Sequence, residues 1–197
     1  MTTSKSDPKP IKVAISGIAG SFSEEAAGKF LRDAELDGAK VIYATTARNT
    51  FDAVAKGHVE YGLVPLENSN GGIVIETVYA AADYLYKIER ILEIDVHQNL
   101  IVLPGTKRQD ITQIVSHHQG LAQCKFYLRR DWPAIEHVEY ADTALAAHDL
   151  AKGKLPKTAA AIASAAAAKL YDLEILEPSI QDLKFNFTSF MVITQHD

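Results

Sequence analysis

Short apolar runs alternate with longer amphipathic stretches along almost the whole chain, and that alternation most narrows what it can fold into. Strand, helix and strand in succession build βα units, whose sheets carry helices on their faces. Ile11 to Ser16 reads as a strand, and Ser21 opens a helix running to about Ala34. Ser21 and Glu24 have the spacing of a capping box, each able to satisfy an orphan backbone N–H. Val41 to Ala44 and Tyr61 to Pro65 read as strands around a helix from Asn49 to Lys56. A glycine-bearing loop, Asn68 to Gly72, leads into a helix from Val74 to about Tyr86.

Ile91 to Leu103 is an apolar run too long for an average strand. Such a segment is expected to cross between two sheets, changing partners around His97 to Asn99. After Pro104 and Gly105 a second series begins, with strands at Ile114 to Ser116, Ile135 to Tyr140 and Ala159 to Ala163. Helices are expected from Gln119 to Arg130, from Thr143 to Lys152, and from the alanine-rich stretch to about Leu173. Glu174 to Leu176 and Thr188 to Ile193 read as strands, the last free to return to the first cluster. The expected organisation is a flexible tail over 1–10, a first α/β lobe over 11–98 plus 181–197, and a second over 99–180. Open sheets of this kind bind ligands beyond the carboxyl ends of their strands, near helix N-termini.

Composition removes whole classes of function. Twenty basic residues against 25 acidic give a net charge of −5, without the basic excess of a duplex-binding protein. No nucleic-acid partner is expected. No apolar run approaches the roughly 20 residues a membrane-spanning helix needs, so no membrane partner is expected either. The single Cys124 forms no intramolecular disulfide and no multi-cysteine zinc site, which fits a reducing compartment. The polar first ten residues lack the apolar core of a secretory signal, and a cytoplasmic protein is expected.

The strand ends carry the candidate chemistry. In Gly17-Ile18-Ala19-Gly20-Ser21-Phe22-Ser23, glycines let the backbone approach a ligand and the helix start offers free N–H groups to an anion; a structural turn is an equal reading. Glu67, Asn68 and Ser69 place three polar side chains after an apolar strand, where they present donors and an acceptor or simply cap a helix entry. Ser116, His117, His118 and Gln119 do the same in the second series. Adjacent histidines without a third ligand make a poor metal site. If the last strand is regular, Thr188 and Phe190 face one way and Ser189 the other.

Taken in order, these segments resemble the catalytic domain of the prephenate dehydratase family. That family's Gly-Pro-x-Gly-Thr-Phe-Ser loop corresponds to Gly17 to Ser23, and its Val-Pro-Ile-Glu-Asn-Ser-x-x-Gly to Val64 to Gly72. Ser-His-Pro-Gln-Ala-Leu-Ala-Gln-Cys corresponds to Ser116 to Cys124, Ala-Ile-Ala-Ser to Ala161 to Ser164, and Asn-x-Thr-Arg-Phe to Asn186 to Phe190. The resemblance implies an α/β, two-lobed fold like the type II periplasmic binding proteins, with the active site in the interlobe cleft. It implies that prephenate loses carbon dioxide and its ring hydroxyl to give phenylpyruvate, with no organic cofactor and no metal. It also implies Thr188 as the catalytic residue. The substrate-binding residues it implies are Gly20, Ser21, Glu67, Asn68, Ser69, Ser116, His117, Gln119, Ser164, Asn186 and Ser189. A homodimer fits the family, and neither a regulatory nor a chorismate mutase domain is expected.

Among the departures from the family pattern, Ile18 and His118 stand for Pro, Ser21 for Thr, and Ser189 for Arg. Serine supplies neither the permanent charge nor the planar two-pronged donor of a guanidinium. Either the Arg braces structure from the far side of the strand, or another cation such as His118 or Lys184 replaces it. Two alternatives stay open on sequence: a prephenate decarboxylase that leaves the ring non-aromatic, and an inactive module that binds a small anion.

Overall fold

A computed structural model of the chain describes residues 10–196. The tail expected over 1–10 lies outside them except for Pro10. The chain builds two sheets. The first takes β1 (Lys12–Ile15), β2 (Lys40–Tyr43), β3 (Tyr61–Asn68), β4 (Gly72–Ile73), β5 (Tyr86–Asp95) and β11 (Phe187–Gln195). Its order is β2-β1-β3-β11-β5, with the short β4 paired to the end of β3. β1 runs parallel to β2 and β3, while β11 is antiparallel to both of its neighbours. The second sheet has the order β10-β6-β9-β7-β8, from β6 (Asn99–Val102), β7 (Gln113–Ser116), β8 (Glu136–Glu139), β9 (Ala159–Ala163) and β10 (Glu174–Glu177).

Helices cover both faces of each sheet, which is why the central strands are apolar throughout rather than alternating. On the first sheet α1 (Phe22–Asp33) seals Val13, Ile15, Leu63, Phe190 and Val192, while α2 (Ala47–Ala55) and α3 (Ile75–Ala81) seal Ala14, Val64, Met191 and Ile193. On the second, α4 (His118–Gln123), α5 (Lys125–Asp131), α6 (Thr143–Ala151) and α7 (Ala165–Leu170) enclose the sheet. All five residues of β9 are buried, and its alanines let α6 approach closely. Among the described residues no helix is long and apolar enough to cross a membrane.

The long apolar run does change sheets: β5 ends at Asp95 and β6 begins at Asn99. The returning segment lies beside that crossover, with Val96 N donating to Asn186 O at 2.6 Å and Ile180 N to Gln98 O at 2.8 Å. Two connections, hydrogen-bonded to each other, therefore join the lobes.

Three elements differ from expectation for tertiary reasons. β3 continues to Asn68, because β11 and β4 supply backbone partners to what local residues mark as a loop. The helix expected to reach Tyr86 stops at Ala81, and Tyr84 and Tyr86 instead pack their rings on Phe51. The helix expected from Gln119 to Arg130 breaks at Cys124. There the distant Asp182 carboxylate accepts from Phe126 N and Tyr127 N, at 2.8 and 2.9 Å, and caps a new helix start.

Candidate active site

A cavity of about 380 Å³ opens where the loops after the strands of the two sheets meet. The first lobe contributes Ser16 and Ser21 to Ser23 after β1, Thr45 to Ala47 after β2, and Pro65 and Asn68 from β3. The second contributes His117 and Gln119 after β7 and Ala141 to Thr143 after β8. Thr188 and Phe190 of β11, with Val96 and Gln98 of the crossover, form the floor between them.

Five helices begin at this wall: α1, α2, α3, α4 and α6, and all but α3 carry a side-chain cap. The first turns of α1, α2, α4 and α6 are capped by Ser21, Thr46, His117 and Asp142. Helix starts lend an anion partial positive charge without a cation. Among the described residues no lysine or arginine lines the cavity, while two carboxylates, Glu76 and Asp142, do. Half-buried His117 does not make good the charge. Burial, and then the neighbouring His118, push its pKa below the ordinary imidazole value, outweighing the carboxylates of Asp142, Glu76 and Glu139.

Thr188 is held by an amide whose orientation is unambiguous. Asn68 Oδ1 accepts from the backbone N–H groups of Asn70 and Gly71, at 2.9 and 2.8 Å. Its Nδ2 must then be the end that donates to Thr188 Oγ1 at 2.9 Å and to Asn186 Oδ1 at 2.9 Å. With an N–H already directed at its oxygen, the threonine hydroxyl is left to point its own proton elsewhere, and the cavity is beside it. Asn186 is fully buried behind Asn68, where its own Nδ2 donates to Val96 O at 3.0 Å and Gln123 Oε1 at 2.9 Å.

A β-bulge decides which polar residue of β3 faces in. Ser189 pairs with Glu67 but Phe190 pairs with Pro65, so Leu66 is an extra residue in β3. The extra residue reverses the alternation and brings Pro65 and Asn68 to one face. Glu67 is exposed on the opposite face with its partner Ser189, whose Oγ donates to Glu93 Oε1 at 3.2 Å.

Of the residues expected to bind substrate, Ser21, Asn68, His117 and Gln119 come together with Thr188 at the cavity. The rest lie elsewhere in the structure. Glu67 and Ser189 face away, as just described. Ser69 is tied to β11, accepting from Phe187 N at 3.0 Å. Ser116 is fully buried and donates to Ile162 O at 2.8 Å, inside the second lobe. Ser164 caps α7 and donates to Gly20 O at 2.7 Å, so both residues join the lobes outside the cavity. Asn186 lies behind the wall, hydrogen-bonded to Asn68, Asn70, Val96 and Gln123. His118 and Lys184, the expected replacements for the missing arginine, do not line the cavity.

Sequence reasoning missed several wall residues. Gln123 lies one helical turn beyond Gln119, and i, i+4 spacing alone would have placed both on one face. Thr77 and Gln98 left no local signal, because tertiary contacts alone bring them here. They are 1% and 2% exposed, and Thr77 Oγ1 and Gln98 Oε1 have no protein partner.

Two α/β lobes joined by paired connections, with helix starts and an oriented hydroxyl around the cleft between them, define a two-lobed α/β protein with an interlobe cavity. The chain belongs to the prephenate dehydratase family, whose sequence model matches residues 13–197. It is 35% identical over 185 residues to an arogenate dehydratase/prephenate dehydratase of Arabidopsis thaliana, covering 94% of this chain and 43% of that one. The chain thus spans less than half the length of this relative. A solved prephenate dehydratase from Arthrobacter aurescens, in complex with L-Phe, superposes with a TM-score of 0.85 at 26% identity, over 95% of this chain and 60% of that one. A nutrient-binding protein from Burkholderia cenocepacia, bound to methionine, shares the fold alone: TM-score 0.52 and 13% identity over 94% and 84% of the two chains.

Proposed function

We propose that the chain converts prephenate to phenylpyruvate, with Thr188 as the donor to the departing ring hydroxyl. The observation that carries this reading is the Asn68–Thr188 contact, which turns an otherwise ordinary hydroxyl into an aimed one. In the reaction the bond from the ring to its carboxylate breaks and releases carbon dioxide. The electron pair enters the ring, the carbon–oxygen bond opposite breaks, and hydroxide leaves. A donor at that oxygen stabilises the developing charge and delivers a proton, so that water departs. The proton consumed comes from solvent, since threonine must regain its own. Helix starts and uncharged donors receive the two substrate carboxylates in place of a cation.

The loss of the family's Arg at position 189 does not weaken this reading, because the side chain there faces Glu93 rather than the cavity. That removes the motive for a non-aromatising decarboxylase. Glu76 and Asp142 favour a second reading within the same chemistry: they suit the ammonium of the 2-amino counterpart of prephenate, the substrate class in the Arabidopsis relative's name. Incubation of the purified protein with prephenate, read as phenylpyruvate absorbance in alkali, tests the reaction. Tight binding of prephenate without product would leave only an anion-binding module. The cytoplasm suits the free, buried Cys124, and cell fractionation checks that placement.

A further inference from the structure

Among the described residues, four other than glycine have a positive φ: Glu35, Thr45, Asp172 and Ser179. Glu35 and Asp172 follow the ends of α1 and α7, where one left-handed residue is an ordinary way to stop a helix. Ser179 lies on the returning segment, outside the cavity wall. Thr45 is different: it follows β2, lines the cavity, is branched at Cβ and has φ +71°. Thr46 N donates back to Ala44 O at 2.8 Å, closing a three-residue γ-turn of the rare, strained hand around it. A β-branched residue at such a φ is a steric outlier, where glycine would meet no penalty. The neighbouring bonds hold the turn in place. Ala44 N donates to Ile15 O at 3.0 Å, and Ala44 O accepts a second bond from Asn49 Nδ2 at 2.9 Å. Thr46 Oγ1 accepts from Asn49 N at 3.1 Å. None of these bonds uses the Thr45 side chain. It is exposed, so packing does not offset the strain, and among the described residues its Oγ1 has no hydrogen-bond partner.

We propose that Thr45 binds the substrate, its hydroxyl donating to a substrate carboxylate from the first lobe, and that the strained turn is what holds it at the cavity. Three features support this. The cavity wall holds no lysine or arginine among the described residues, so uncharged donors receive an anion there. A hydroxyl without a protein partner on that wall is such a donor, and a carboxylate is the acceptor that bonds it most strongly. Strain maintained by bonds that leave the side chain out marks a position whose side chain acts outside the fold. The proposal rests on the prephenate reading for the identity of the anion.

Two substitutions separate this role from a purely structural one. Thr45→Gly removes the hydroxyl and suits the backbone, while Thr45→Ser keeps the hydroxyl. The glycine variant should melt no lower than wild type, because relief of the turn offsets the greater freedom of glycine in the unfolded chain. Its KM for prephenate should rise at least about ten-fold, the range of one hydrogen bond to a charged group. Calorimetric affinity, measured in a Thr188→Ala background so that prephenate is not consumed, should weaken by the same factor. Thr45→Ser should keep both quantities within about three-fold of wild type. A glycine variant with wild-type KM and affinity would overturn the proposal. So would a glycine variant that melts several degrees lower, which would make the side chain a brace of the turn, or a serine variant as impaired as the glycine one. Calorimetry also keeps the two readings apart. Wild-type protein that binds prephenate without turnover, alongside a Thr45→Gly protein that binds about ten-fold more weakly, would sink the dehydratase reading and retain this one. Wild-type turnover with no effect of Thr45→Gly would do the reverse.

Discussion

Threonine is too weak an acid to protonate a leaving group unaided, so what matters at the residue scale is where its proton points. Asn68 settles that by donating to Oγ1 at 2.9 Å, and a backbone turn settles Asn68. Thr188→Ala should lower kcat at least about 100-fold with KM little changed, because a donor to charge that develops on reaction is worth about 3 kcal/mol mainly in the transition state. Steady-state kinetics checks this, and equal losses in KM and kcat would make Thr188 a binding residue. Ser189 supplies the contrasting case. Its side chain lies against Glu93 on the outer face. Ser189→Arg should leave kcat/KM for prephenate within about two-fold of wild type, since an exposed ion pair with Glu93 is worth only ~0–1 kcal/mol and touches nothing in the cleft. A clear gain in activity would show that the arginine reaches substrate after all.

At the scale of the element, α6 is tied down by a single carboxylate. Asp149 Oδ2 accepts from Tyr140 OH at 2.6 Å, and Oδ1 contacts Lys154 Nζ at 2.9 Å and His148 Nδ1 at 2.8 Å. The Tyr140 hydrogen bond above all, with Lys154 and His148, lowers its pKa from 3.8 to about 2 against the opposing effect of burial. A carboxylate lowered in the folded state stabilises the protein above the unfolded value, and that stability is lost as pH falls through the folded one. Thermal melts should therefore show melting temperature falling from about pH 4 towards pH 2, with a shallower fall in Asp149→Asn. At neutral pH the substitution should cost about 2 kcal/mol, the range of charge-assisted hydrogen bonds, and denaturant titration measures it. The same element begins at the cavity, where Asp142 caps it, so loosening α6 should also raise KM.

At the scale of the molecule, the lobes touch through backbone as well as through their two connections. Gly20 has φ +83° and lies so close to α7 that a Cβ there would stand 3.0 Å from Ala167 Cα. Ser164 Oγ and Tyr171 OH donate to Gly20 O and Ala19 O at 2.7 and 2.9 Å. Gly20→Ala adds a left-handed residue, costing about 1–2 kcal/mol, to a wedge between the lobes. The expected result is a larger radius of gyration by small-angle scattering and a kcat/KM at least about ten-fold lower. Tyr171→Phe removes one hydrogen bond of about 1 kcal/mol and should give a milder change in the same direction. An unchanged scattering profile in Gly20→Ala would show that the lobes hold together without this contact.

Local order in the sequence was enough for much of this protein. The period of the apolar runs yielded the α/β class and the crossover near His97. Ser21 predicted the start of α1, though Glu24 reaches the N–H of Gly20 rather than that of Ser21, at 2.7 Å. The alternation of Thr188 and Ser189 along β11 placed their side chains on opposite faces before any partner strand was known. These features depend on neighbours within a few residues, whose relative directions the backbone sets by itself. The other decisions needed contacts between segments far apart in the chain. The bulge at Leu66 chose Asn68 over Glu67, Asp182 split one helix into two, and Ser116 and Ser164 were spent on carbonyls 46 and 144 residues away. A polar side chain at a strand end has the same local signature whether it meets a ligand or a distant carbonyl. Only folding decides which of the two reaches it first, because the free energy of burying a polar group depends on the partner it finds there.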